Sequence, residues 1–256
     1  MQPDEALFYK GTPAQLNSLL GRRKIDLCLS SSIEYARNPS AYLLLPKYCI
    51  ASKGPLPSIQ LFSRLTLDRL DNARIVLTDQ SATTVALCRI LLGHLMNYSN
   101  EYITKAVDLQ EGLREGDAVV LIGDRALEAG IHANGIYAHD LSLLWEEMTG
   151  LPFVFALWIV RKDLTEKEGN LLAGFWHNLS LVHEYMVHPE EELIRMVLHE
   201  RPFLTKGRLL EYWQMIAYQL TEKHLQGLEL FYRFAFELGY IPRKPEVVFW
   251  DPEKNF

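Results

Sequence analysis

The sequence predicts a two-lobed α/β protein with a helical C-terminal region. Strand and helix signals alternate through the first half of the chain, which is typical of βαβ units around a parallel sheet. Two extended apolar segments, residues 58–64 and 153–160, flank a middle region that has βα units of its own. After Leu164 the apolar residues recur with helical spacing. We therefore expect one lobe, residues 1–65 and 152–256, to be interrupted by a second, residues 66–151, with two crossing strands between them.

Capping signals mark the helices of the first lobe. Thr12 followed by Pro13 is a typical helix start, and Gly21 ends that helix. A second, short helix begins after Ser30-Ser31-Ser32 and ends before Pro39. The strands of this lobe are predicted at residues 6–9, 25–29, 42–45, 48–51, 58–64 and 153–160.

The middle region repeats the strand-then-helix order. Strands are predicted at residues 74–78 and 117–122, followed by helices that begin at Ser81 and Asp124. Asp140 is the expected N-cap of a further helix, and Gly150 its end. In the C-terminal region, helices are predicted at residues 166–186, 190–198 and 206–238, and their aromatic residues are expected to pack in the core.

Composition excludes several classes of protein. The 256-residue chain has a net charge of −6 and no Lys/Arg run longer than residues 22–24, so it lacks the basic footprint of a nucleic-acid-binding protein. No apolar run approaches the ~20 residues that span a membrane, and the first five residues do not resemble a signal peptide. The three cysteines stand singly in apolar segments, which indicates buried thiols in a reducing cytoplasm rather than disulfides or a metal site.

Three helix starts at predicted strand ends are candidate anion sites, because ligands of open α/β sheets bind beyond the carboxyl ends of the strands. Free backbone N–H groups and a nearby hydroxyl suit a carboxylate or a phosphate. At any one helix start, the hydroxyl residues could serve only as N-caps. A ligand site is favoured only because all three helix starts are expected to face the same cleft. The three starts are Ser30-Ser31-Ser32, Ser81-Ala82-Thr83-Thr84 and Gly123-Asp124.

Other chemistries find no support in the sequence. His183-Glu184 and His188 resemble the start of a zinc-binding motif, but a spacing of five places the two rings about 140° apart on a helix. Nucleophile-elbow, P-loop and dinucleotide-binding motifs are absent from the sequence, and no carboxylate pair stands out as acid and base.

Several segments of the chain resemble chorismate dehydratases of the futalosine route to menaquinone. The most specific are residues 31–37 (Ser-Ser-Ile-Glu-Tyr-Ala-Arg) and residues 149–153 (Thr-Gly-Leu-Pro-Phe). Further matching segments are residues 11–17, 25–26, 44–46, 54–55, 61–64, 81–83, 121–124, 231–233 and 241–242. The resemblance therefore extends over nearly the whole chain.

The resemblance implies a fold like the type II periplasmic binding proteins, used in the cytoplasm as a carbon–oxygen lyase. Chorismate would lose water to give 3-[(1-carboxyvinyl)oxy]benzoate, with the substrate's own enolpyruvyl carboxylate as a candidate proton acceptor. Ser81 would then be the catalytic residue that bonds the reacting hydroxyl or this internal base. No metal or organic cofactor is implied, and a homodimer stays open. The substrate-binding residues would be Ser31, Ser32, Ser81, Ala82, Thr83, Gly123 and Asp124.

Two alternatives remain open at this point. A related enzyme, 1,4-dihydroxy-6-naphthoate synthase, resembles the chain less, because Gly123 occupies the place where its catalytic histidine is expected. A non-catalytic cytosolic binder or sensor of a small carboxylate would also fit, because no general base is evident. Members of the family usually begin with a further strand and a Tyr-Leu-Asn-type loop, and the given sequence starts after that segment; Asn17 lies on the first predicted helix instead.

Overall fold

The computed structural model describes residues 6–187 and 189–252, which form two β-sheets with helices around them. The strands are β1 (Leu27–Ser31), β2 (Tyr42–Ser52), β3 (Ile59–Ser63), β4 (Arg74–Leu77), β5 (Glu101–Thr104), β6 (Ala118–Ile122), β7 (Tyr137–Asp140), β8 (Val154–Arg161) and β9 (Ile216–Gln219). The helices are α1 (Pro13–Gly21), α2 (Ser32–Arg37), α3 (Ala82–Arg89), α4 (Leu109–Glu115), α5 (Gly123–His132), α6 (Leu141–Thr149), α7 (Lys162–Lys167), α8 (Gly169–Val187), α9 (Glu191–Glu200), α10 (Lys206–Met215) and α11 (Glu222–Glu237).

The first sheet has the order β1-β8-β2-β9, and its pairings are antiparallel. The predicted strands 42–45 and 48–51 are the two halves of β2. An irregularity joins them, because Lys47 has a φ of 80° and the pairing with β8 shifts between Leu44 and Cys49. Strand β8 lies between β1 and β2, so the C-terminal half of the chain completes this sheet.

The second sheet has the order β5-β4-β6-β3-β7 and is mixed. Strand β4 pairs in parallel with β5 and β6, whereas β3 pairs antiparallel with β6 and β7. The expectation of a parallel sheet is therefore met only by these βα units. Strand β3, which the predicted division assigns to the first lobe, pairs with β6 and β7 in the second sheet. The chain first crosses between the sheets at residues 53–58 and returns through residues 141–153, which contain α6.

Local capping signals predicted the helix ends well. The Thr12 side chain accepts a hydrogen bond from the N–H of Gln15, with Pro13 in the first helical turn. The Asp140 carboxylate caps α6 by accepting from two backbone N–H groups, and Gly150 ends that helix at a φ of 72°. These features depend on neighbours along the chain, so the sequence alone contains the information.

Predictions that needed distant partners were less accurate. Residues 6–9 are not a strand, and Leu7 and Phe8 are 86% and 80% exposed, because no described strand pairs with them. The predicted helix over residues 206–238 is divided by β9, which pairs with β2. The predicted helix over residues 166–186 is divided at Glu168 between α7 and α8.

A continuous apolar core links the two sheets at the crossing. Trp145 of α6 is fully buried and makes edge contacts with Phe153, Phe231 and Phe234, at ring-centroid distances of 5.2, 6.4 and 6.2 Å. The predicted core role of the C-terminal aromatic residues is confirmed for Phe231 and Tyr232, which are fully buried. Within the described residues, no helix is both long enough and apolar enough to span a membrane.

Candidate functional site

A groove of about 620 Å³ lies between helices of the first sheet and the βα unit that follows β4 of the second. Helices α1 and α2 form one wall, and the residues after β4 together with α3 form the other. Its polar and charged lining residues are Asn17, Ser18, Arg22, Glu34, Arg37, Thr78, Asp79, Ser81, Arg89, Thr104 and Tyr240. The groove thus lies where the two sheets meet, as expected for a ligand site between lobes.

Ser81 is the predicted site residue with the clearest access to this groove. Its Oγ caps α3 by accepting from the N–H of Thr84 at 3.2 Å and from the Thr84 hydroxyl at 3.0 Å. The residue is 7% exposed and lines the groove together with Ala82. Among the described residues, no acceptor takes the proton of the Ser81 hydroxyl. Ser81 is therefore an ordinary N-cap that retains one hydrogen bond to donate to a ligand.

Ser32 and Thr83 join the two walls below the groove. Their hydroxyl oxygens are 3.3 Å apart, and Thr83 Oγ1 also accepts from the N–H of Ile33 at 3.1 Å. The Tyr232 hydroxyl donates to the carbonyl of Ser32 at 2.7 Å. Ser32 and Thr83 are both fully buried. The predicted starts of α2 and α3 therefore come together, but these two hydroxyls bond to each other rather than to the groove.

Asn17 of α1 forms hydrogen bonds with the last two residues of β1. Its Oδ1 accepts from Ser30 Oγ at 2.5 Å and from the N–H of Ser31 at 3.2 Å. Asn17 is buried and contributes to the groove lining. The N–H of Ser31 is therefore not available to an anion in this arrangement. Asn17 was not among the predicted site residues, because only the packing of α1 on β1 brings it to the serines.

The third predicted helix start, at Gly123 and Asp124, is not among the residues that line this groove. The N–H of Gly123 donates to the carbonyl of Ser58 at 2.8 Å and is not free for a ligand. Asp124 forms an ion pair with Arg201, with both carboxylate oxygens 3.0 Å from Nε. Residues from outside the βα unit therefore occupy the hydrogen-bonding groups of this helix start.

Three arginines that were not among the predicted site residues line the groove: Arg22, Arg37 and Arg89. Arg37 contacts the Glu34 carboxylate at 3.4 Å, whereas Arg22 and Arg89 have no ion-pair partner among the described residues. Three arginines against Glu34 and Asp79 leave a local positive charge in a protein whose net charge is −6. Each arginine stands apart from the others in the sequence, so only the folded structure shows this cluster.

Nucleophilic thiol and metal chemistry find no support in the described residues. Burial raises the pKa of Cys28 to about 11 and the pKa of Cys49 and Cys88 to about 12, so these thiols stay protonated near neutral pH. No three His, Cys, Asp or Glu side chains cluster as metal ligands within the described part of the chain. His188 and the side chain of Glu184, from the zinc-like pattern, lie outside the described residues.

Solved structures with the same architecture define the class of fold. The chain is similar to the periplasmic aliphatic sulphonate-binding protein of Escherichia coli, with a TM-score of 0.66 at 13% identity over 95% of this chain and 81% of that one. It is also similar to a protein of known structure from Archaeoglobus fulgidus, with a TM-score of 0.70 at 18% identity over 90% of this chain and 86% of that one. The fold is therefore of the periplasmic-binding-protein-like type, as the resemblance implied.

The sequence comparisons identify the family within that fold. A family model described as menaquinone biosynthesis matches residues 2–237, and the chain belongs to this family. A chorismate dehydratase of Thermus thermophilus is 37% identical over an alignment of 166 residues that covers 59% of this chain and 60% of the relative. A chorismate dehydratase of Campylobacter jejuni is 32% identical over 149 residues, 58% of this chain and 51% of the relative. The matches thus span between half and three fifths of the curated relatives.

Proposed function

We propose that this protein is a chorismate dehydratase, a hydro-lyase that acts in menaquinone biosynthesis by the futalosine route. The observation that carries the proposal is the arginine-lined groove with Ser81 in its wall, in a chain of the menaquinone biosynthesis family. Two relatives bear the same activity in their names. The three buried, unpaired cysteines support a cytoplasmic location, because reduced thiols are typical of that compartment.

The reaction removes the ring hydroxyl of chorismate and the hydrogen of a neighbouring ring carbon. The C–O and C–H bonds break, the ring becomes aromatic, and the products are 3-[(1-carboxyvinyl)oxy]benzoate and water. Aromatisation supplies the driving force. The protein therefore has to hold a dianion in one orientation and stabilise the departing hydroxide, which are positioning and electrostatic tasks.

The start of α3 supplies hydrogen-bond donors for these tasks. The N–H groups of Ala82 and Thr83 have no partner among the described residues, whereas the N–H of Thr84 is bonded to Ser81. We assign Ser81 the bond to the departing hydroxyl or to the internal base, and the two N–H groups the bonds to a carboxylate. The positive end of the helix dipole adds about 0.3–1 kcal/mol toward an anion.

We also propose three substrate-binding residues that are bonded within the protein in the arrangement described: Ser31, Ser32 and Thr83. Ser32 and Thr83 are bonded to each other, and the N–H of Ser31 is bonded to Asn17. Direct contact with a carboxylate therefore requires that α2 and α3 separate at this point. In the arrangement described, these residues position the wall that carries Ser81. Gly123 and Asp124 drop out of the proposed site because they are bonded elsewhere.

The proton acceptor is assigned to the substrate's own enolpyruvyl carboxylate. Two protein carboxylates, Glu34 and Asp79, also line the groove. If either were the base, replacing it by its amide would lower kcat by several orders of magnitude. Because the substrate supplies the base, we expect that Glu34→Gln and Asp79→Asn each retain kcat within about tenfold; loss of a side-chain base would cost on the order of 10²–10⁴.

The direct test is incubation of the purified protein with chorismate, with the aromatic product followed by mass spectrometry. Formation of 3-[(1-carboxyvinyl)oxy]benzoate above the rate without protein supports the proposal. Saturable binding by calorimetry with chorismate recovered unchanged would instead identify a non-catalytic binder. Absence of both turnover and binding, in protein whose cooperative thermal unfolding shows that it is folded, would overturn the proposal.

A further inference from the structure

Arg89 lines the same groove as Ser81 but takes no part in the chemistry assigned above. It is the last residue of α3, and its guanidinium carbon lies 4.9 Å from the centroid of the Tyr102 ring. Its Nε is buried and has no hydrogen-bond partner among the described residues. A buried guanidinium nitrogen without an acceptor is costly, since burying an unpaired polar group is unfavourable unless a ligand supplies the bond.

We infer that Arg89 anchors the second carboxylate of a dicarboxylate ligand, and that it thereby selects dianions over monoanions. The inference rests on the proposed function, because chorismate and its product each carry two carboxylates. Tyr102 supports the guanidinium from one face, which fixes its plane and leaves its edge available to a carboxylate. The planar fork of arginine suits this geometry better than the point charge of lysine.

The spacing along α3 separates two binding poles. Ser81 caps the start of α3 and Arg89 is its last residue, before a π-helical turn over Ile90–Leu95, so the two residues lie about 12 Å apart along the axis at 1.5 Å per residue. The N-terminal pole offers N–H groups and the Ser81 hydroxyl. The C-terminal pole offers the Arg89 guanidinium at the end of a long side chain. Donors at both ends of one groove suit a ring that carries an acidic group on each side.

Charge balance in the groove supports the same assignment. Arg37 is partly neutralised by Glu34, and Asp79 is the other acidic lining residue. No carboxylate forms an ion pair with Arg89 among the described residues, so its charge is available to a ligand. The neutral Tyr102 ring and the nearby protonated Cys88 thiol cannot serve as a counter-ion. Because Arg89 lines the groove, a carboxylate bound there is the partner that its guanidinium can take.

A structural role for Arg89 is the competing explanation. Contact of a guanidinium with the face of an aromatic ring stabilises the fold without any ligand. Arg233 provides a matched control, because its guanidinium lies 5.4 Å from the ring centroid of Phe234, on α11 and outside the groove lining. If the role is structural, Arg89→Gln and Arg233→Gln should lower thermal stability without changing ligand preference.

The experiment compares two ligands by calorimetry: 3-[(1-carboxyvinyl)oxy]benzoate, with two carboxylates, and 3-methoxybenzoate, with one. We expect the wild type to bind the dicarboxylate more tightly by on the order of tenfold or more, since charge-assisted hydrogen bonds are the strong ones. Arg89→Gln should reduce this ratio to within about twofold, and Arg89→Lys should give an intermediate ratio. Arg233→Gln should retain the wild-type ratio.

The outcomes separate this inference from the proposed function. If the wild type turns over chorismate but Arg89→Gln and Arg89→Lys retain the wild-type ligand ratio, the inference fails and the proposed function stands. If the wild type binds neither ligand and leaves chorismate unchanged, both fail. Should Arg89→Gln unfold, Arg89→Lys decides the matter, because a retained charge on the same scaffold must still lose part of the preference.

Discussion

The starts of α3 and α5 form a natural pair for comparison. Both follow parallel, adjacent strands of the second sheet, β4 and β6, at the edge where ligands of α/β sheets bind. The start of α3 is open to the groove through Ser81. The start of α5 is closed, because the carbonyl of Ser58 takes the Gly123 N–H and Arg201 pairs with Asp124.

The difference shows that a helix start at this edge of the sheet is not automatically open to a ligand. What decides is whether another part of the chain satisfies the helix start. Arg201 follows α9, and Ser58 precedes β3, so both of these partners are remote in sequence from α5. The same strand-then-helix pattern therefore leads to an open start in one place and a closed one in the other.

Replacing the open cap should have the largest effect. We expect Ser81→Ala to lower kcat/KM by on the order of 10²-fold, because it removes a donor from the reacting group. The loss of stability should be about 1 kcal/mol, as for other helix caps. Steady-state kinetics with chorismate and urea unfolding measure the two effects.

Asp108→Ala is the matched control for that prediction. Asp108 caps α4 by accepting from the N–H of Glu111 at 2.8 Å, and it does not line the groove. It should cost a similar free energy of unfolding with kcat/KM unchanged. Equal kinetic effects of the two variants would show that Ser81 is only a cap.

Separating the two walls should mainly affect stability. Thr83→Val removes the oxygen that bonds Ser32 and the N–H of Ile33, and it leaves that buried N–H without a partner. We expect a loss of about 1–3 kcal/mol in the free energy of unfolding. Thr83→Ser retains the oxygen and should lose less than half as much. Urea unfolding of both variants tests the prediction, and an equal loss would point to the methyl group instead.

The start of α11 should lose stability in acid. His224 begins α11 beside Thr221 and Ser52, and burial, assisted by the charge of Lys53, lowers the pKa of its ring despite the bond to the Ser52 carbonyl. The unfolded chain therefore binds this proton more readily, and stability falls as the pH drops through about 6.5. His224→Gln keeps a capping side chain that does not titrate.

Thermal unfolding at pH 7.5 and 5.5 measures that effect. We expect Tm of the wild type to fall between these pH values by about 1–3 °C more than Tm of His224→Gln. His139, whose pKa burial also lowers, is present in both proteins and cancels in the comparison. An identical pH dependence of the two proteins would exclude His224 as a contributor.

Opening the closed start should have the smallest effect. Asp124→Asn weakens the ion pair with Arg201, in which the Asp124 side chain is about half exposed, so the stability change should stay within about 1 kcal/mol. We expect kcat/KM to remain within about twofold, because Asp124 does not line the groove. A loss of tenfold or more would restore Asp124 as a substrate-binding residue and weaken the contrast between the two helix starts.

Features that depend on neighbours along the chain could be predicted from the sequence, and features that depend on remote partners could not. The caps at Thr12 and Asp140 and the turn at Gly150 were predictable, because their partners lie within four residues. Strand β9 was missed, since its four residues interrupt a helical pattern and gain their role only by pairing with β2. Among the residues that line the groove, Ser81 could be selected from its place after a strand. Arg22 and Arg89 were not, because no pattern along the chain links residues on different helices.

The central position of β8 in the first sheet has a consequence for the order of folding. All five strands of the second sheet lie between residues 59 and 140, so they can pair as soon as that stretch has been synthesised. Leu27 of β1 must wait for Val160, and Tyr48 of β2 must wait for Gln219. Such distant pairings close long loops and form slowly. During synthesis the middle of the chain therefore folds first, and the two ends assemble around it afterwards.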